Sequence, residues 1–209
     1  MEKNNIEQLC YQHIQQVIPA DQSHDIHHIL RVVKMAKKLS IQEQANIDVV
    51  IPAAWLHDCV PIAKNSPLRA QSSQLAATQA KIFLTQHQYK PDLLNEIAHA
   101  IEAHSYSANI IPRTLEAKIV QDADRLDALG AIGLTRAIMV SNQLDLEFYH
   151  TQDPFCKKRE PNDHQYGLDH FYTKLLTLAE KFHTHAGKVE AQRRIEFLHQ
   201  YLNQLSSEI

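Results

Sequence analysis

Asn46-Ile47-Asp48-Val49-Val50-Ile51-Pro52-Ala53-Ala54-Trp55-Leu56-His57-Asp58 is the stretch on which the fold turns. It reads as a helix over about 46–58 whose largely apolar second half runs through a core. Pro52 falls near its first turn or two and predicts an irregular start. His57-Asp58 then sits at the inner end of a buried helix, where an unpaired acid is costly. A divalent cation resolves that cost, because imidazole and carboxylate are both good ligands. Adjacent helical residues point about 100° apart. Two neighbours share one ion most easily at a helix end, which is where Cys59-Val60-Pro61 puts them.

Outward from this stretch the chain is helical nearly throughout. Ile6, Leu9, Cys10, Ile14 and Val17 mark an amphipathic helix over 2–17, ended by Pro19. Ser23 or Asp25 caps a second helix carrying Ile29, Val32, Val33, Ala36 and Leu39. After a loop at 59–65, Ser66-Pro67 is a start signal for a helix running to about Gln86. Pro91 starts another that ends near Ser105, and Thr114 caps one through Ile119, Ala123, Leu126 and Leu129. Gly130 and Gly133 interrupt or bend the chain before helix resumes to about Glu147. Residues 150–165, with Pro154, Pro161 and Lys157-Lys158-Arg159, read as a long loop, of the kind that is usually functional or mobile. Helices over about 167–183 and 188–206 finish the chain, and no alternating β pattern or internal repeat occurs. The expected architecture is all-α, a single-domain multi-helix bundle over 1–209.

Composition excludes several function classes. The 209 residues suit one ordinary domain, and 44% hydrophobic with 22% charged residues argues against disorder. Lys+Arg of 21 against Asp+Glu of 24 gives a net charge of −3, so no nucleic-acid partner is expected, although a local basic pocket for phosphates remains compatible. No apolar run is long enough to span a membrane. The polar start Met1-Glu2-Lys3-Asn4-Asn5 lacks a signal-peptide core, and a cytoplasmic location is the expectation. Cys10, Cys59 and Cys156 fit no disulfide framework and no zinc pattern. The four glycines assemble no phosphate-binding loop of the Rossmann or P-loop kind. The oddity is 14 histidines, which directs attention to metal chemistry.

Metal-ligand residue types gather in four segments: His24-Asp25-Ile26-His27-His28, His57-Asp58, His99 to His104, and Gln121-Asp122-Ala123-Asp124-Arg125-Leu126-Asp127. Asp124 and Asp127 share a helical stripe with Val120 and Ala128, and carboxylates in such a stripe need a cation, an arginine or several hydrogen bonds. Asp127 has Arg31, Arg125 and Arg136 as candidate partners, which leaves Asp124 for a metal. The plainer alternative for His57, Asp58 and Asp124 is a buried salt-bridge network. Lys64 and Arg69 read equally as a solvated helix-start pair, and His104 as an ordinary core histidine.

These segments resemble the HD-domain metal-dependent phosphohydrolase superfamily. The family pattern is a histidine before x-x-Arg-Val, matched by His28-Ile29-Leu30-Arg31-Val32, then the pair His57-Asp58. A distant aspartate before a basic residue and a second aspartate completes it, matched by Asp124-Arg125-Leu126-Asp127. Lys64 to Arg69, Ile101 to Ser107, Gln121 to Gly133 and Leu168-Asp169-His170-Phe171 are similar to a stand-alone bacterial subgroup. The likeness covers about 20 to 200, with the motifs in about 20–140 and C-terminal helices at about 167–206. One departure is Pro61-Ile62-Ala63, where many members carry an acidic residue or asparagine.

The resemblance implies an HD-type bundle that binds one divalent ion (Mn, Fe, Co, Ni or Mg) through His28, His57, Asp58 and Asp124. It implies hydrolysis of a small phosphorylated substrate, foremost a nucleotide, by metal-activated water, with Asp58, Asp124 and His104 as catalytic candidates. Lys64, Arg69 and His104 are candidates to hold phosphate. A regulatory metal- and nucleotide-binding module without turnover is one alternative; a dinuclear phosphodiesterase is another. The latter would need His99 and His104 on one ion, yet they lie about 140° apart around a helix. No heptad supports a coiled-coil dimer, but exposed apolar positions on a terminal helix leave a homodimer open.

Overall fold

A computed structural model of the chain describes residues 3–17, 26–62, 66–105 and 107–209. Pro19, Ser23, Asp25, His24, Lys64 and Tyr106 lie outside the described residues. The chain forms two compact units, one of Met1–Asp124 with His183–Ala186, the other of Arg125–Phe182 with Gly187–Ile209. As expected, the architecture is all-α: no strand forms among the described residues, and one isolated bridge joins Glu147 and Tyr166. No described helix is long and apolar enough to cross a membrane.

The first unit is built around α3 (Ile47–Leu56), in which every residue from Val49 to Leu56 is buried. A helix apolar on all sides has to be central. It packs against α1 (Lys3–Val17), α2 (Ile26–Glu43), α4 (Ser72–Gln86) and α5 (Leu94–His104). The Asn46 side chain caps it by accepting the Asp48 N–H at 3.1 Å. Pro52 lies inside α3, where its missing N–H orphans the carbonyl of Asp48. The buried Tyr89 hydroxyl donates to that carbonyl at 2.8 Å, so the helix continues through the proline. Ile6, Cys10 and Ile14 of α1 are buried at the expected spacing. Glu7 of the same helix accepts from Lys37 at 2.6 Å and from the Trp55 indole at 3.3 Å, tying α1 to α2 and α3.

Two boundaries in this unit differ from the sequence reading. The Ser66 hydroxyl accepts the Leu68 N–H at 3.2 Å, but a turn and a short 3₁₀ segment, Arg69–Gln71, come next; regular α4 begins only at Ser72. Pro91–Leu93 is likewise 3₁₀ before α5. The Thr114 cap forms as expected, its hydroxyl accepting the Ala117 N–H at 3.1 Å at the head of α6 (Leu115–Leu126).

The second unit holds α7 (Gly130–Gln143) and most of α8 (His185–Glu208), whose Ala191, Ile195, Leu198 and Leu202 form one buried stripe. Gly130 starts α7 at φ +69°, a left-handed conformation that glycine takes without strain. The helix expected over about 167–183 forms over 169–181, but with irregular winding. Phe171–Leu175 is a π turn and Leu176–Lys181 a 3₁₀ segment, with Phe171, Leu175 and Leu178 facing inward.

The long loop is stapled rather than open. Asp169, fully buried, accepts from the two terminal guanidinium nitrogens of Arg159, at 2.5 and 2.7 Å, and from the Asn162 N–H at 2.6 Å. Asp153 accepts the N–H groups of Lys157 and Lys158 at 2.9 and 2.8 Å. Of the basic run, Arg159 is therefore committed to the loop's own structure. Gly167 is needed for close approach, since a Cβ there would come within 2.0 Å of Ser141 Oγ.

Candidate metal centre

The first turn of α2, the end of α3, the end of α5 and the last turns of α6 each deliver one part of a cluster within the first unit. His57 and Asp58 come directly after Leu56, the last residue of α3, and the Cys59 N–H closes the turn onto the Leu56 carbonyl at 3.1 Å. That turn lets two neighbours in sequence face one point, as the helix-end argument requires. His28 Nε2 lies 3.4 Å from His57 Nε2, 3.4 Å from Asp124 Oδ1 and 4.0 Å from Asp58 Oδ2. His57 Nε2 is 3.6 Å from Asp58 Oδ2 and 4.0 Å from Asp124 Oδ1. Donor atoms of His28, His57 and Asp58 all fall within 4.8 Å of one another. His104 adds its Nε2 at 3.5 Å from the other oxygen of Asp58.

The histidines are buried, whereas the Asp58 and Asp124 side chains keep 28% and 27% exposure, so the cluster opens to solvent on its carboxylate side. Backbone carbonyls fix the tautomers. His57 Nδ1 bonds the Ala54 carbonyl at 2.8 Å and His104 Nδ1 the Ile101 carbonyl at 2.6 Å. Each Nδ1 is thereby the donor, and the Nε2 of His57 turns an unshared pair into the cluster.

Burial holds His57 below the usual imidazole range, which keeps it neutral. Burial alone would raise Asp58, but His57, His104 and His28 overturn that and hold it well below the usual carboxylate range. Asp124 is lowered in the same way, its burial outweighed by His28 and the other histidines. For His104 the burial penalty is outweighed by Asp58, and its proton is held more tightly than usual.

The donor set suits a divalent cation. Ligand atoms about 2.1 Å from an ion in tetrahedral geometry stand about 3.4 Å apart, and the nitrogen and oxygen atoms of these contacts are separated by 3.4 to 4.0 Å.

Other residues singled out in the sequence go elsewhere. Asp122, two residues before Asp124, is fully buried and accepts from the Thr184 N–H and hydroxyl at 2.8 and 2.7 Å and from the His183 N–H at 3.0 Å. Asp127 pairs with Arg136. His99 turns its Nε2 to the Arg113 N–H at 3.0 Å, separate from His104. Arg69 donates to the Ile62 carbonyl at 3.4 Å, in the loop after Asp58. Sequence reasoning missed the Ala54 and Ile101 carbonyls, because backbone groups carry no residue signal.

Residues 25–129 match the HD domain family. The uncharacterized protein YpgQ of Bacillus subtilis strain 168 is 29% identical over 201 residues, 94% of this chain and 90% of YpgQ. The crystal structure of YpgQ in complex with ADP matches with a TM-score of 0.76 at 28% identity, covering 100% of this chain and 97% of that one. A crystal structure of an HD-superfamily hydrolase from Bacillus thuringiensis matches with a TM-score of 0.78 at 32% identity, covering 99% of this chain and 98% of that one. With the matched segment spanning half the chain and carrying the whole His28, His57, Asp58 and Asp124 cluster, this chain belongs to the HD domain family.

Proposed function

We propose that this chain is a metal-dependent phosphohydrolase acting on a small phosphorylated metabolite, foremost a nucleotide, through a single HD-type domain over 1–209. The observation that carries this reading is the convergence of His28, His57 and Asp58 donors within 4.8 Å, with Asp124 Oδ1 3.4 Å from His28. His28, His57, Asp58 and Asp124 hold one divalent ion in this proposal. Such an ion, when bound, acidifies its water and neutralises phosphoryl charge.

The chain's own groups divide the remaining work. Asp58 uses one oxygen toward His57 and the other toward His104. His104, with Nδ1 committed to the Ile101 carbonyl, carries its exchangeable proton on Nε2 and offers it to a phosphoryl or leaving-group oxygen. Lys64 and Arg69 are assigned to the substrate's phosphates. The ADP complex of YpgQ supports a nucleotide as the ligand class. A single ion is preferred because His99 is spent on Arg113. The reading places the protein in the cytoplasm, with a small molecule rather than nucleic acid as its partner.

The test is release of phosphate and pyrophosphate from a nucleotide panel with Mn²⁺, beside an Asp124→Ala control. Turnover in the wild type that disappears in the control is the expected result, and the leaving group identifies the bond. Metal binding without turnover on any nucleotide would remove the nucleotide assignment.

A further inference from the structure

A pocket of about 500 Å³ opens between α4 and α5 in the first unit. That volume lies within the range of small-molecule sites. His99 lines it, and the five-position step from His99 to His104 turns about 140° around α5, so the pocket occupies a different face of the helix from the metal centre.

Two cations stand at this pocket, Lys81 from α4 and Arg113 from the segment before α6. Lys81 donates to the Asn95 side chain at 3.0 Å, which uses one of its three protons. The Arg113 guanidinium has no hydrogen-bond or ion-pair partner among the described residues, while its backbone N–H is pinned by His99 at 3.0 Å. His99 is more than nine-tenths buried, and its Nδ1 has no partner among the described residues. Since Nε2 accepts from Arg113, Nδ1 carries the proton and is a buried donor lacking an acceptor, which is costly to leave unmade. Burial keeps His99 neutral, and Glu102 contributes the one carboxylate. Two cations against one carboxylate match a single oxyanion rather than a polyphosphate chain. The small side chains of Ala77 and Ala98 leave room for a carbon body beside it.

We propose that the α4–α5 pocket is a second ligand site, which binds a small metabolite bearing one oxyanion group between Lys81 and Arg113. It is independent of the hydrolase reading. A guanidinium and an ammonium recognise phosphate and carboxylate by the same charge-assisted hydrogen bonds, so the head group is for the experiment to distinguish.

The test tracks backbone amide NMR shifts of the labelled full chain during titration with inorganic phosphate and, separately, with butyrate. Saturable shifts at Thr78, Lys81, Ala98 and His99 are expected with at least one of them. The double variant Lys81→Ala, Arg113→Ala is expected to bind at least about tenfold more weakly, a loss of about 1.4 kcal/mol. Both side chains are exposed, so the fold is kept, and an unchanged thermal melt verifies this. Absence of saturable shifts at these residues with both probes, or shifts undiminished in the double variant, overturns the proposal.

Discussion

His104 Nε2 lies 3.5 Å from Oδ1 of Asp58, while Oδ2 of the same carboxylate faces His57 at 3.6 Å. One carboxylate thus links the candidate metal donors to a histidine whose other nitrogen is locked on the backbone. His104→Gln is predicted to retain the metal but to lower kcat by about 10²- to 10⁴-fold, the usual contribution of a positioned proton donor. Asp58→Asn is predicted to lose metal and activity together. Metal content and steady-state kinetics on the two variants separate the roles.

Asp122 and Asp124 differ by two positions and do opposite work. Asp122→Ala leaves the N–H groups of His183 and Thr184 and the Thr184 hydroxyl without their buried acceptor. It is predicted to destabilise the chain by roughly 2–3 kcal/mol. Asp124→Ala is predicted to cost less metal-free stability than Asp122→Ala and to abolish metal binding. Urea unfolding in the presence of a chelator, and then metal titration, checks both.

The Tyr89 hydroxyl replaces the N–H that Pro52 withholds from the Asp48 carbonyl. Tyr89→Phe is predicted to cost about 1–2 kcal/mol in the natural background. In a Pro52→Ala background the backbone supplies a donor to the same carbonyl, and the cost is predicted to fall. A double-mutant cycle by denaturant melts measures the coupling.

Much of this architecture was legible in local pattern. The spacing of Ile6, Cys10 and Ile14 gave α1, and the all-apolar run before His57 gave a central helix. The order His28, His57-Asp58, Asp124 picked out side chains that the fold brings close together. The features that escaped had non-local causes. The spacing of Leu168, Phe171, Leu175 and Leu178 suits an α-helix, yet a π turn and then 3₁₀ backbone serve the same inward face. Helix α7 stops at Gln143 rather than about Glu147, because Asp145 takes a left-handed φ of 54°. The role of Asp169 depended on Arg159, a partner ten residues upstream that no periodicity marks.

That pair also sets an acid limit. Burial would raise Asp169, but hydrogen bonds from Arg159, Asn162 and Cys156 hold it below the usual carboxylate range. A lowered folded pKa means the stabilisation is complete above the unfolded value of about 3.9 and is lost as pH falls through the folded value. Asp169→Asn is predicted to be less stable than the wild type at neutral pH, with the gap narrowing progressively below about pH 4. Denaturation curves of both proteins across this range measure it.

The central claim is that four side chains hold one catalytic ion, and a manganese-loaded crystal measured at the manganese absorption edge tests it most directly. The account predicts one anomalous peak about 2.0–2.4 Å from donor atoms of His28, His57, Asp58 and Asp124 together. A peak from which any of the four lies more than about 3 Å away, or no peak at this cluster, would contradict it.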